Sequence, residues 1–232
     1  MYRVPDVFLQ FGAEVFEFPM YNRPANLRLT GPILTKQKEA IEPPEWLQEL
    51  DGSKAVVFVT QGIVANFNFD QLVNPALAGL ANDDVQLVVT AGGGDGNAIV
   101  APAQATVKPY SPYDLLFPRT SVFVTNGGYN GVQQALSFGV PIVAVGASED
   151  KPEVCSRVNW SGVGIGIPTR TPMVEQVRGA VREVLHNPRY RERAQALGAS
   201  IAKTDALTMI AEIVDTAISG AAHKKASSAK GN

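Results

Sequence analysis

The chain has 232 residues, enough for one large domain and part of another. It is 45% hydrophobic and 18% charged, so it can bury a sizeable core and does not read as a disordered chain. A formal net charge of −2 supplies no basic face, which argues against nucleic acid as a partner.

Residues 1–52 read as a linker and the remnant of a preceding domain. Pro5, Pro19, Pro24, Pro32, Pro43 and Pro44 break up its apolar residues, leaving room for one or two strands, at residues 7–11 and 15–18. A short amphipathic helix is expected at residues 45–50. The pattern becomes regular from Lys54, and residues 53–218 read as one domain. Residues 55–59 are a continuous apolar strand that ends in the turn Thr60, Gln61, Gly62. Phe69, Leu72, Val73, Ala76, Leu77 and Leu80 then follow a helical period, in which Pro75 either kinks the helix or marks its first turn. Residues 85–89 form a second strand before the glycine-rich run 91–96. Residues 106–109 form a third, and residues 114–116 make one helical turn.

The most informative stretch is 121–150. Residues 122–124 are a buried strand by length and composition. Gly127 and Gly128 make a tight turn, residues 129–138 follow as a helix, Gly139 stops it, and residues 142–145 are the next strand. Such a turn leaves backbone N–H groups at a helix N-terminus, a natural seat for a phosphate. Beyond it, residues 154–160 read as a helix and 162–167 as a glycine-spaced strand. Thr171 is expected to cap a helix whose first residue is Pro172. Two more helices are expected at residues 190–202 and 205–218, and a disordered tail at 219–232. Strands alternating with helices, and strands that are apolar throughout, predict an α/β fold: a doubly wound, Rossmann-like parallel sheet covered on both faces. Ligands on such sheets bind in the crevice at the carboxyl ends of the strands.

Other chemistry is sparse. Cys155 is the single cysteine; it excludes an intrachain disulfide framework, points to a reducing compartment, and reads as a core residue. His186 and His223 are the two histidines, and neither stands in a metal-ligand spacing. No apolar run reaches the ~18 residues of a membrane span, and the first residues lack a secretory signal, so a cytoplasmic location is expected. No Gly-x-Gly-x-x-Gly with a downstream acidic residue and no Gly-Lys-Ser/Thr loop occurs, which disfavours an unrelated nucleotide-dependent enzyme.

Taken together, the loops resemble the donor-binding half of the UDP-glycosyltransferases with the two-domain GT-B fold. The match runs from Lys54 to about Ile167, and residues 26–33 with Pro44, Glu45 and Trp46 look like that family's interdomain junction. The resemblance implies hexosyl transfer from a UDP-sugar, with no other cofactor and no metal. It implies that Thr60, Gln61 and Gly62 help enclose the diphosphate. Tyr110 stands where a ring stacks on uracil, and Pro112 and Tyr113 where backbone groups meet that base. Thr125, Asn126, Gly127 and Gly128 match the family's diphosphate-holding turn, with Asn126 in place of the usual histidine. Tyr129, Asn130 and Gly131 match the Trp-Asn-Ser that follows. Gln134 stands where a glutamate holds the ribose hydroxyls, and Glu149, Asp150 and Lys151 resemble the Asp-Gln pair that bonds the donor sugar.

Departures from the pattern carry weight. Asn126 loses a chargeable imidazole, Gln134 loses a charge-assisted bond, and Lys151 alters the sugar contact. The family's catalytic base lies in an acceptor domain, and neither histidine here is placed to replace it. Two readings remain open: a donor domain or subunit whose acceptor domain is a separate chain or arises by self-association, and a non-catalytic nucleotide-sugar-binding or interaction module. A donor domain without its partner is expected to leave Phe67, Phe69 and residues 91–96 uncovered.

Overall fold

The computed structural model describes residues 5–34, 42–64 and 67–228, with side chains as far as Ser219. By contact the chain divides into two compact units, residues 36–199 and residues 1–35 with 200–232. The expected boundaries at 53 and 218 thus shift at both ends. The 3₁₀ turn Glu45–Glu49 belongs to the first unit because Leu47 and Leu50 are buried and Gln86 Nε2 donates to Glu49 O at 2.9 Å.

The second unit holds two strands, β1 (Phe8–Gln10) and β2 (Leu27–Leu29), paired in parallel with Phe8 opposite Leu27. Where a strand was expected at residues 15–18, residues 14–16 form a 3₁₀ turn that buries Phe16.

In the first unit, β3 (Ala55–Thr60), β4 (Val85–Thr90), β5 (Ala105–Lys108), β6 (Val122–Thr125), β7 (Ile142–Val145) and β8 (Gly164–Ile167) form one sheet. All its pairs are parallel and the order is β5-β4-β3-β6-β7-β8, the doubly wound topology that the alternating pattern predicts. After β5 the chain returns to lie beside β3, so the order reverses between β3 and β6.

Around the sheet lie α1 (Val73–Leu80), α2 (Tyr113–Leu116), α3 (Tyr129–Ser137), α4 (Lys151–Ser161), α5 (Val174–His186) and α6 (Pro188–Ile201). Side chains alternate across the strands. Val57 and Val59 join α1 and α5 in one buried cluster that includes Leu72, Leu77, Val177 and Val181. Phe58 shares an aromatic group with Tyr113, Phe117 and Phe123, in mostly edge-on contacts at 5.1–6.3 Å. Strands buried on both faces explain why their sequences are apolar throughout.

Pro75 falls in the first turn of α1, where no N–H is needed; the expected longer helix breaks at Leu72 into a 3₁₀ turn, Phe69–Gln71, and α1. Phe67 is exposed as expected, but Phe69 is buried because it opens that turn and joins the core cluster. Gly139 follows α3 at φ +67 and donates its N–H to Leu136 O at 2.8 Å, the expected left-handed stop. The expected Thr171 cap is not formed. Met173 stays extended, α5 begins at Val174 without a side-chain cap, and the Thr171 N–H turns to Thr169 Oγ1 instead. The final helix, α7 (Ala206–Ser228), runs ten residues past the point where a disordered tail was expected. Alanine and lysine, common in that stretch, favour helix; residues 229–232 lie outside the described residues.

Two charge and packing features generate tests. Asp83 accepts from Arg182 Nε and Nη2 at 2.8 and 2.6 Å and is 3.5 Å from Arg178 Nη2, tying the end of α1 to α5. Those hydrogen bonds, Arg182 first, hold its carboxyl below the ordinary carboxylate value. The pair therefore stabilises the fold fully above the unfolded value of about 3.9, and this contribution is lost as pH falls through the lower folded value. Denaturant midpoints against pH are expected to fall more steeply between about pH 4 and pH 2 in the native chain than in Asp83→Asn. On β8, a Cβ on Gly164 would lie 1.7 Å from Ile142 O, so β7 and β8 pair only with glycine there. Gly164→Ala is expected to cost about 1–3 kcal/mol or more. Gly179→Ala, in an exposed stretch of α5 with open space around it, is expected to gain about 0.5–1 kcal/mol in the same assay.

Candidate functional site

The reversal of strand order places the ends of β3 and β6 side by side. Thr60 is in register with both Thr90 and Thr125, so three chains leave the sheet at one level. Thr60 Oγ1 donates to Thr90 O at 3.2 Å, and Thr90 Oγ1 donates to Ser111 Oγ at 3.0 Å. A cleft of about 660 Å³ opens above them, within the ~300–1,000 Å³ usual for small-molecule sites.

The floor of the cleft is the turn between β6 and α3. Gly127 takes φ +83, a left-handed conformation that turns the chain into the helix. Asn126 braces this turn across the sheet. Its Nδ2 donates to Gln61 O at 2.5 Å, and its Oδ1 accepts from Gly128 N–H at 3.3 Å. Gly128 starts α3 at φ −62 with no side-chain cap, so the helix N-terminus is open to the cleft. Gly128, Tyr129, Asn130, Gly131 and, one turn on, Gln134 line it.

The loop after β3 forms one wall. Gln61 is buried and its Nε2 donates to Asn68 O at 2.8 Å, while Gly62 N–H donates to Thr60 Oγ1 at 3.2 Å. Thr60, Gln61 and Gly62 all line the cleft. The loop after β7 forms another, with Glu149, Asp150 and Lys151. Glu149 adopts φ +56, a left-handed conformation that costs a non-glycine residue energy and clusters at functional sites. Its exposed carboxylate pairs with the buried ammonium of Lys151, which also donates to Ser148 Oγ at 3.2 Å. That ammonium holds the Glu149 carboxyl below its ordinary value. Burial pushes the Tyr113 phenol up, offset in part by a hydrogen bond with Thr60, so Tyr113 meets the cleft as a neutral ring and hydroxyl.

Fourteen of the seventeen expected residues therefore line one cleft; Tyr110, Pro112 and Gly127 do not. Gly127 is buried in the turn itself. Tyr110 is 65% exposed, with its hydroxyl held against Gly93, and Pro112 precedes α2. Sequence reasoning missed Ile63, Val64 and Phe123 as lining residues. It also missed Asp114, whose Oδ1 accepts from Gln134 Nε2 at 2.9 Å and so turns the amide carbonyl of Gln134 into its available acceptor. Among the described residues no cluster of His, Cys, Asp and Glu could hold a metal, and no helix is long and apolar enough to cross a membrane.

Comparison with known proteins bears on the same region. The family described as erythromycin biosynthesis protein CIII-like, C-terminal domain, matches residues 75–218. The chain is 39% identical over 213 residues to the 4'-demethylrebeccamycin synthase of Lentzea aerocolonigenes, covering 92% of this chain and 50% of that protein. It is 36% identical over 219 residues to UDP-glycosyltransferase 2 of Phaeomoniella chlamydospora, covering 91% and 48%. Among solved structures, spinosyn forosaminyltransferase SpnP superposes with a TM-score of 0.77 at 18% identity, over 92% of this chain and 55% of that one. Glycosyltransferase VinC in complex with DTDP superposes with a TM-score of 0.68 at 19% identity, over 90% and 51%. The chain spans about half the length of the curated relatives it matches. Sequence and fold agree with the glycine turn: the chain belongs to the UDP-glycosyltransferase family, as the C-terminal half of a GT-B fold.

Proposed function

We propose that the cleft binds a nucleoside diphosphate sugar, a UDP-sugar in the first instance, and presents it for glycosyl transfer to an acceptor hydroxyl. The observation that carries this reading is the convergence of the β3, β6 and β7 loops around the open N-terminus of α3. In this reading the diphosphate rests on the N–H groups of that helix, where the helix dipole favours negative charge. The nucleoside lies toward Tyr113, with Tyr110 at its outer face. The Gln134 carbonyl accepts from a ribose hydroxyl, and Glu149 and Asp150 face the sugar.

Transfer also needs a base to take the acceptor's proton as its oxygen attacks the anomeric carbon. His186 sits on α5 with its Nδ1 2.8 Å from Arg182 O and does not line the cleft. We therefore assign the base to an acceptor half, met as a separate chain, as a second copy, or as further residues of the same protein. A module that binds the nucleotide sugar without transferring it is the second reading. Asn126 favours it, because its amide is engaged in bracing the turn where relatives of this type are expected to place an imidazole.

Gly128 gives a clean test, since φ −62 suits any residue and a Cβ there meets only Asn126 Oδ1 at 3.6 Å. Gly128→Val is expected to keep the fold yet occupy the diphosphate seat. Calorimetric titration should show saturable UDP and UDP-glucose binding by the native chain, weakened at least about tenfold (~1.4 kcal/mol) in the variant. Absence of binding by the native chain at millimolar ligand would sink the proposal.

The nucleotide is open to a second measurement. Gln134→Leu removes one acceptor worth about 0.5–1.5 kcal/mol, up to about tenfold in Kd. That loss is expected for UDP and to a smaller degree for dTDP, which lacks the 2′-hydroxyl. Equal loss for both would place the ribose elsewhere.

A further inference from the structure

We propose that Lys151 supplies the positive charge that holds the donor's β-phosphate and stabilises it as the diphosphate leaves. This rests on the reading of the cleft as a donor site. Three observations lead to it.

The turn itself offers no charged side chain. Asn126 is neutral, and both ends of its amide are engaged: Nδ2 with Gln61 O and Oδ1 with Gly128 N–H. It holds the turn's shape and cannot become a cation. Among the described residues that line the cleft, Lys151 is the one positive side chain. Arg170, the other cation nearby, lines a separate recess of about 30 Å³ that Lys151 also borders.

Lys151 is, second, built against the phosphate turn. It is the first residue of α4, and its side chain is only 8% exposed. The stem passes over Gly146, where an added Cβ would lie 2.9 Å from both Lys151 Cβ and Lys151 Cδ. A Cβ on Gly127 would lie 3.6 Å from Lys151 Cβ. Two glycines thus make the bed on which this chain lies, and one of them belongs to the turn that opens α3.

Third, the ammonium already holds an anion that can be exchanged. Its partner Glu149 is 68% exposed at the side chain and sits in a strained, left-handed conformation. A phosphate oxygen is an acceptor of the same kind as that carboxylate oxygen. Moving Nζ from Glu149 to the diphosphate trades one charge-assisted bond for another and frees Glu149 from the pair.

During transfer the bond between the anomeric carbon and the β-phosphate oxygen breaks, and its electron pair stays on that oxygen. The acceptor oxygen bonds to the anomeric carbon, and its proton goes to the base of the acceptor half. Lys151 takes no part in the proton transfer and acts only by its charge.

The test is titration of the full chain with UDP and with uridine, which shares the nucleoside but has no phosphate. Lys151→Met keeps the buried stem and removes the charge. It is expected to weaken UDP at least tenfold and to leave uridine within twofold, which also shows that the cleft is intact. Glu149→Gln, which removes the competing anion, is expected to bind UDP at least as tightly as the native chain. Lys151→Met binding UDP within threefold of native would overturn the inference while leaving the donor site standing. So would a Glu149→Gln chain as impaired as Lys151→Met, since binding would then need the ion pair and not the released ammonium. Equal loss of UDP and uridine in Lys151→Met would reduce the residue to a structural role. A native chain that binds neither ligand overturns the donor reading and this inference together.

Discussion

Where β3 lies against β6, Thr60 pairs with Thr125, and the two strands leave the sheet side by side on loops that run in opposite directions around it. That pairing sets the topological reversal, and the reversal creates the crevice. Everything polar in the cleft hangs on it. Asn126, at the end of β6, reaches only as far as Gln61 because β3 is its neighbour, and the bond between them locks the glycine turn beneath the open end of α3. The aromatic contact of Phe58 with Phe123, one pleat below on the opposite face from the valines, keeps the two strands in that register from within the core.

The electrostatics of the cleft follow from how this brace is made. An amide that closes a turn by two hydrogen bonds holds its shape but carries no charge to offer a ligand. The turn gains rigidity and gives up a charge. The balance is restored one loop further on, where Lys151 is buried to all but its Glu149 and Ser148 contacts and packs across Gly146. Burying an ammonium is costly unless it is paired, so the Glu149 bond stabilises the buried lysine. The strained backbone at Glu149 is consistent with a turn held in shape by that ion pair.

The sheet unit is complete as a packing object. Its strands are covered on one face by α1 and α5, and on the other by the aromatic group that includes Tyr113 of α2. It spans about half the length of the relatives that share its sequence. In the proposed donor reading the strand ends hold the nucleotide sugar, and proton removal from the acceptor is assigned to an acceptor half.

The elements of 54–167 were legible because each is locally specified. Buried parallel strands read as unbroken β-branched runs, the Gly127–Gly128 pair has few conformational alternatives, and Gly139 can stop a helix without help from distant residues. Short-range chemistry failed where contacts overrode it: Phe69 was drawn into the core, and α5 started without Thr171. The grouping of the last helix with the N-terminal segment could not be read either, because it depends on contacts between residues some 170 positions apart, such as Gly31 with Thr204. What the sequence alone determined is the sheet, its helices and the identity of most cleft residues, since period, glycine placement and loop order are written in one dimension. What only tertiary structure decided is how those residues are employed. That Asn126 is spent on Gln61 and that Gln134 is turned by Asp114 depend on distances of 2.5 and 2.9 Å between residues 65 and 20 positions apart in the chain. Hydrogen-bond capacity belongs to a residue type, but its use is settled only when the partner is in place.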